Sequence, residues 1–335
     1  MPELTTIAVT GATGFVGRAV VRELLARGYN VRALCRDREK AVTQLPADRR
    51  VVPVLGHIHD GRSARELVMG AHAVINLIGI IRERRLGAGA GGPQTFERLH
   101  VDAPRILVEA CRAAGVKRFL HMSALGVTPD GAAEYQRTKF EGEQIVRRSG
   151  LDWTVFRPGL IHGPGGELTE LIKAWCSGDS PPFFFIPFFS RPVHHDEGVI
   201  MGRVTFEPAK LAPIAVDDVA KAFVEALERP GSTGEVYNIV GSEQTDWKRM
   251  LEAFRDNLPT ADHALPVLGL PGPPHVAMAK AAGFFGLGAL FPFDAGMPSM
   301  AQEDATADLA KLRTHLGVEP KAFTPVMRAY AGSMK

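Results

Sequence analysis

Gly11-Ala12-Thr13-Gly14-Phe15-Val16-Gly17 follows the short run Ile7-Ala8-Val9-Thr10 and opens onto an apolar-periodic stretch that predicts a helix over 15–27. The spacing alone carries little weight, since 35 glycines among 335 residues would produce it by chance about 0.4 times. Its position carries the weight: a strand ends, a glycine turn follows, and a helix begins. A turn without side chains lets an anion reach backbone N–H groups and the positive end of the helix dipole. The pyrophosphate of a dinucleotide suits it, with Gly11, Thr13, Gly14, Phe15, Val16 and Gly17 as expected contacts. The plainer alternative is an ordinary tight strand-to-helix turn.

Outward from the loop, strand-like runs at 31–34, 51–55, 73–78, 118–122 and 153–156 alternate with helical periodicity, including stretches over 96–114 and 133–149. This order predicts an α/β protein with a doubly wound parallel-sheet Rossmann fold. After Arg157-Pro158-Gly159 the rhythm breaks into Pro- and Phe-rich sequence as far as Phe206, and a helix over 216–228 and a strand over 236–240 restore it. Residues 1–162 plus 213–240 are therefore expected to form the dinucleotide-binding domain. Residues 163–212 plus 241–335 are expected to form a smaller, discontinuous substrate domain, with helices near 245–257, 277–290 and 302–316.

The net charge of +2, from 39 basic and 37 acidic residues, gives no field suited to nucleic acid, so a small-molecule partner is expected. Cys35, Cys111 and Cys176 stand far apart and read as free thiols. Residues 1–6 lack a basic-then-apolar leader, and the apolar stretch 281–293 is too short to span a bilayer, so neither a signal peptide nor a transmembrane helix is expected.

A site for NAD(H) usually places an acidic residue on the adenosine ribose about 20 residues past the glycine loop. This chain reads Ala33-Leu34-Cys35-Arg36-Asp37-Arg38 there. Arg36 and Arg38 offer donors matched to a 2′-phosphate, so the reading favours NADP(H) over NAD(H). The alternative leaves the arginines in solvent and gives the ribose to Asp37.

Tyr135-Gln136-Arg137-Thr138-Lys139 sets a phenol and an ammonium four residues apart, on one face of a helix. A neighbouring positive charge favours the phenolate, so Tyr135 is expected to have a lowered pKa and to exchange a proton with a hydroxyl or carbonyl group. Lys139 is also expected to hold the nicotinamide ribose. An exposed helical pair is the alternative.

Together these residues resemble the short-chain dehydrogenase/reductase superfamily, in its extended and atypical branches. Further matching motifs are Val74-Ile75-Asn76-Leu77-Ile78-Gly79, the run Phe119-Leu120-His121-Met122-Ser123, Arg157-Pro158-Gly159 with Gly163-Pro164-Gly165, Val216-Asp217-Asp218-Val219, and Tyr237-Asn238-Ile239. The resemblance implies cofactor contacts from His57, Ile58, Leu77, Ile78, Gly79 and Pro158, and Ser123 beside the catalytic Tyr135 and Lys139. The short Ser123–Tyr135 spacing and the tail Leu316-Gly317-Val318-Glu319-Pro320 resemble one subgroup. That subgroup comprises the NADPH-holding accessory subunit of respiratory complex I and its bacterial relatives. This implies a cytoplasmic protein, free or peripheral to the inner membrane.

Three positions depart from the family pattern. Active relatives end this strand with two small hydroxyl residues and use the second; here the pair is Ser123-Ala124. The family's adenine-contacting Asp is His57, and its Asn on the long fourth helix is His100.

His57, His59 and Asp60, like His194, His195 and Asp196, are read as polar loops, and no metal is expected. Five phenylalanines, Phe183, Phe184, Phe185, Phe188 and Phe189, crowd a segment too Pro-broken for a helix or a central strand. They suit an apolar pocket, a protein contact, a membrane surface or plain core. With Phe284-Phe285 and the stretch 287–293 they point to a lipophilic substrate. The leading expectation is an NADP(H)-dependent oxidoreductase or epimerase-like enzyme. Its rivals are a cofactor-holding assembly protein of the respiratory chain or quinone metabolism, and a redox-sensing module.

Overall fold

The computed structural model describes residues 5–84, 92–195, 203–275 and 296–334. The chain divides into two units. The first comprises Met1–Pro158, Val216–Ile239 and Asp308–Glu319, and the second Gly159–Ala215, Val240–Ala307 and Pro320–Lys335.

In the first unit the order is β1 (Thr6–Thr10), α1 (Phe15–Ala26), β2 (Asn30–Cys35), α2 (Arg38–Gln44), β3 (Val51–Leu55), α3 (Gly61–Val68) and β4 (Ala73–Asn76). A π-helical turn (Glu97–Asp102) then leads into α4 (Ala103–Ala114), followed by β5 (Arg118–Met122), α5 (Glu134–Arg147) and β6 (Asp152–Pro158). The returning strand Glu235–Ile239 joins them in one sheet, ordered Glu235–Ile239, β6, β5, β4, β1, β2, β3. Every pair is parallel. Parallel strands need crossovers, and the sequence supplies them as amphipathic helices. Strand order reverses between β1 and β4, the place where such sheets leave a crevice at their C-terminal ends.

Leu67, Leu107, Cys111, Phe119, Val146 and Val155 form a buried cluster on one face of the sheet. The three thiols are free and buried, and burial pushes Cys35 up to about 11 and Cys111 and Cys176 up to about 12.

The C-terminal segment departs from expectation in two ways. Helix begins only at Ala310, because the residues before it are engaged elsewhere: Ala305 bridges Leu211, and Asp308 accepts from Ala310 N–H. The helix Ala310–Leu316 also belongs to the first unit, although 241–335 read as wholly second-domain. Its Leu312 and Leu316 are buried, and Lys311 Nζ donates to Glu235 and to the Val236 carbonyl.

The second unit holds a three-stranded sheet in which Ile186–His195 lies between Val267–Pro271, parallel, and Arg203–Pro208, antiparallel. The Phe-rich segment was read as too Pro-broken for such a strand, and the registers explain why it forms one. Val267–Pro271 covers residues 186–190 and Arg203–Pro208 covers 190–195. Ile186 N–H donates to Pro266 O, so the nitrogen of Pro187 faces the side that has no neighbouring strand among the described residues, where a missing donor costs nothing.

The five phenylalanines divide. Phe188 is buried with Ile186, Phe254, Phe323 and Met327, Phe185 and Phe189 are half-buried, and Phe183 and Phe184 are 55% and 72% exposed. The expected helix over 277–290, Phe284-Phe285 and the stretch 287–293 lie outside the described residues. Among the described residues no helix is long and apolar enough to cross a membrane.

Candidate active site

The glycine loop stands at the C-terminal end of β1. Gly11 has φ +68°, and a Cβ there would meet the Leu77 carbonyl at 2.9 Å. Gly14 N–H closes the turn on Gly11 O at 2.9 Å, and a Cβ at Gly17 would stand 2.1 Å from that same oxygen. The bare Gly17 therefore lets the first turn of α1 seat against the loop. No side chain caps α1 at its N-terminus and its first turn holds no acidic residue, which leaves the helix dipole open to an anion.

At the end of β2, Cys35 is buried while Arg36 and Arg38 are exposed. Asp37 caps α2, its carboxylate accepting from Glu39 N–H at 2.8 Å and Lys40 N–H at 3.4 Å. Beyond β3, Asp60 caps α3, accepting from Arg62 N–H and the Ser63 hydroxyl. Ile58 sits in the core cluster, whereas His57 is half-buried and its Nδ1 is buried without a partner among the described residues.

After β4, Leu77 is buried, Ile78 packs on the core and Gly79 is exposed. Asn76 shapes this floor by accepting Ile78 N–H on its Oδ1 at 3.3 Å. Pro158 is buried, and its carbonyl accepts from Leu125 N–H at 2.9 Å.

Tyr135 and Lys139 lie in α5, whose N-terminal turn is fixed by the Gln136 side chain accepting from Ala133 N–H. Lys139 Nζ donates to Met122 O at 2.8 Å, and burial pushes its ammonium down to about 8 while Glu143 counteracts. Glu143, itself fully buried, receives both 2.8 Å bonds of an Arg157 fork. A Cβ on Gly79 would come within 3.1 Å of Lys139 Nζ, which places the ammonium against the backbone that follows β4.

The lowered phenol pKa expected for Tyr135 is not found. Its ring is enclosed by Phe96 and His100, with centroids 5.9 and 5.4 Å away, and burial raises it to about 12. Desolvation of the phenolate sets the direction, so at neutral pH Tyr135 is a protonated phenol.

His100, where relatives carry Asn, is buried on the π-helical turn. Its Nε2 accepts from Ile80 N–H at 3.2 Å, so its proton is on Nδ1, 3.0 Å from Thr138 Oγ1. The Thr138 hydroxyl passes its own proton to Glu134 O. Burial first, then the Lys139 charge, push His100 down to about 2 and keep it neutral. A Cβ at Gly142 would stand 1.9 Å from His100 O, so this glycine permits the approach of α5 to the turn carrying His100.

Ser123 is 2% exposed, and its Oγ has no hydrogen-bond partner among the described residues. Ala124 beside it is buried.

The open helix N-terminus, the glycine cradle, and the Ser123 Oγ and His57 Nδ1 that lack partners among the described residues fit a bound dinucleotide. The sequence did not signal His121, Thr10 or Glu143, because their roles depend on partners in other strands. The pairing of Glu143 four residues past Lys139 is the one signal available in sequence.

Residues 11–174 match the family model described as NAD(P)H-binding. The chain is 35% identical over 163 residues to a ceramide reductase of Caulobacter vibrioides, covering 49% of this chain and 48% of that protein. It is 27% identical over 251 residues to NADH dehydrogenase (ubiquinone) 1 alpha subcomplex subunit 9, mitochondrial, of Dictyostelium discoideum, covering 74% of this chain and 62% of the other. The chain thus spans about half to three-fifths of these curated relatives. Among solved structures, a UDP-glucuronic acid 4-epimerase from Bacillus cereus superposes with TM-score 0.67 at 20% identity, over 99% of this chain and 100% of the other. Residues 11–174 thus match an NAD(P)H-binding family, the chain shares its fold with the epimerase, and across 74% of its length it is similar to the complex I subunit.

Proposed function

We propose that the chain is an NADP(H)-dependent oxidoreductase that interconverts a carbonyl and a hydroxyl on a lipophilic substrate. One observation carries the reading: the buried Lys139 ammonium donates to the carbonyl of Met122, next in the chain to the buried Ser123, and a protonated Tyr135 stands one turn before Lys139 on α5. When bound, the nicotinamide supplies the hydride for reduction and accepts it in the reverse direction.

In the reductive direction Ser123 Oγ orients the substrate oxygen, and Tyr135 Oη gives that oxygen its proton as the carbonyl carbon gains the hydride. The phenolate left behind is stabilised by Lys139, which Met122 O and Glu143 hold in place. A phenol raised by burial suits reduction better than oxidation. Arg36 and Arg38, exposed and beside an Asp37 committed to capping, support NADP(H) over NAD(H). The similarity to a ceramide reductase and the exposed Phe183 and Phe184 support a lipophilic substrate met at a lipid surface.

A second reading rests on Ala124. With no hydroxyl at the position that active relatives use, the chain would hold NADPH without turnover, as a structural or assembly protein. The similarity to the complex I subunit favours it.

Release and identification of the nucleotide that copurifies, followed by its reoxidation with long-chain ketones, ceramide precursors and quinones, separates the two. Turnover with at least one carbonyl class supports the enzyme, and tight NADPH that no acceptor oxidises supports the holding protein.

A further inference from the structure

Thr10, Asn76 and His121 occupy one register level across three adjacent strands and are buried together. Their hydrogen bonds fix each proton. Ile78 N–H can only donate, so the Asn76 atom it meets is Oδ1, which also accepts from the Thr10 hydroxyl at 2.7 Å. Asn76 Nδ2 therefore donates to His121 Nδ1, 3.1 Å away, and the imidazole proton stands on Nε2. Burial first, and then the Lys139 charge, push His121 down to about 3, so the ring stays neutral. That Nε2 is buried and has no partner among the described residues.

Lys139 has the matching deficit. Among the described residues Met122 O, next in sequence to His121, is the one acceptor for its Nζ donors. The carbonyl that holds the Lys139 ammonium thus belongs to the residue beside His121, and two buried donors so placed, short of acceptors among the described residues, are costly unless an oxygen completes them.

We propose that His121 Nε2–H and Lys139 Nζ–H share one hydroxyl-type oxygen from outside the protein, which makes His121 a positioning residue acting through Lys139. The assignment rests on reading Lys139 as part of the cofactor site. A buried water or a ribose hydroxyl of the nucleotide has the required chemistry, since either accepts two hydrogen bonds. Asn76 then couples this oxygen to the cofactor floor, because the amide that sets the His121 tautomer also holds Ile78 N–H.

Solution NMR of the intact chain with isotope-labelled histidine tests this without turnover. The expected spectrum places the His121 proton on Nε2 and shows it slow to exchange with solvent. Slow exchange in the free protein assigns the oxygen to water, and slow exchange only after NADPH is added assigns it to the nucleotide. A proton on Nδ1, or a freely exchanging Nε2 proton in both states, overturns the proposal.

Two variants add an affinity readout. His121→Gln keeps a donor and is expected to bind NADPH within about threefold of the wild type, whereas His121→Leu weakens binding about tenfold. Equal loss in both overturns the donor's role. If the wild type binds no nicotinamide nucleotide, the proposed function fails, while the spectrum of the free protein still decides this inference.

Discussion

Lys139 Nζ donates to the carbonyl oxygen of Met122 at 2.8 Å, a bond across 17 residues that ties α5 to the end of β5. It holds an ammonium in a buried place where an uncharged side chain would be more stable, so the site and the fold make opposing demands on this residue.

That opposition has a pH signature. Burial lowers the ammonium from 10.5 to about 8, so between those pH values the unfolded chain carries a proton that the folded chain has released. Stability contributed by this group therefore rises with pH through that window. Below it both states are protonated, and the folded state carries the burden of the buried charge, at most on the order of 3 kcal/mol. Lys139→Met is expected to raise the melting temperature at neutral pH while abolishing turnover, with the gain shrinking toward the alkaline end. A variant less stable than the wild type at neutral pH would contradict this account.

Gly142 tests the approach of α5 to the turn bearing His100. Gly142→Ala puts a methyl 1.9 Å from His100 O, and is expected to cost about 1–3 kcal/mol in denaturant unfolding. It is also expected to weaken NADPH binding, because the same displacement moves Tyr135 and Lys139. Wild-type stability in the variant would mean that the helix yields freely.

The choice of nucleotide is tested at Arg36. Arg36→Ala is expected to weaken NADPH binding roughly 10- to 100-fold, the value of a charge-assisted hydrogen bond to phosphate. NADH affinity is expected to change little. Equal loss for both, measured by fluorescence titration, would remove the argument for the 2′-phosphate.

Phe183 and Phe184 are exposed, so replacing both by Ser is expected to leave the melting temperature nearly unchanged. Flotation with liposomes is expected to carry the wild type upward and leave the double variant behind. A wild type that never floats would exclude the lipid surface.

The fold was legible wherever a single local rule decided it. Gly11 and Gly17 announced their turn, because a left-handed φ and a Cβ-free approach restrict the residue that can stand there. That Tyr135 and Lys139 share one helix was legible from their spacing alone. The direction of the Tyr135 shift was not, since desolvation by Phe96 and His100 depends on packing that brings in a segment 35 or more residues away. His121 was silent for the same reason: its tautomer is set by Asn76, 45 positions earlier. The central strand at Ile186–His195 was misread because the rule against proline assumes two full-length neighbours, and here the two ladders share only Ser190. The return of Ala310–Leu316 to the first unit rests on Lys311 reaching Glu235, a pairing that no periodicity reveals.

The most direct test of the catalytic reading is a single-turnover experiment in which NADPH-loaded protein is mixed with a long-chain ketone and the reduced nicotinamide signal is followed. The account predicts decay in the wild type and a rate about 100-fold or more slower in Tyr135→Phe with NADPH still bound. A signal that persists in the wild type with every ketone and quinone offered, or equal rates in the two proteins, would contradict it.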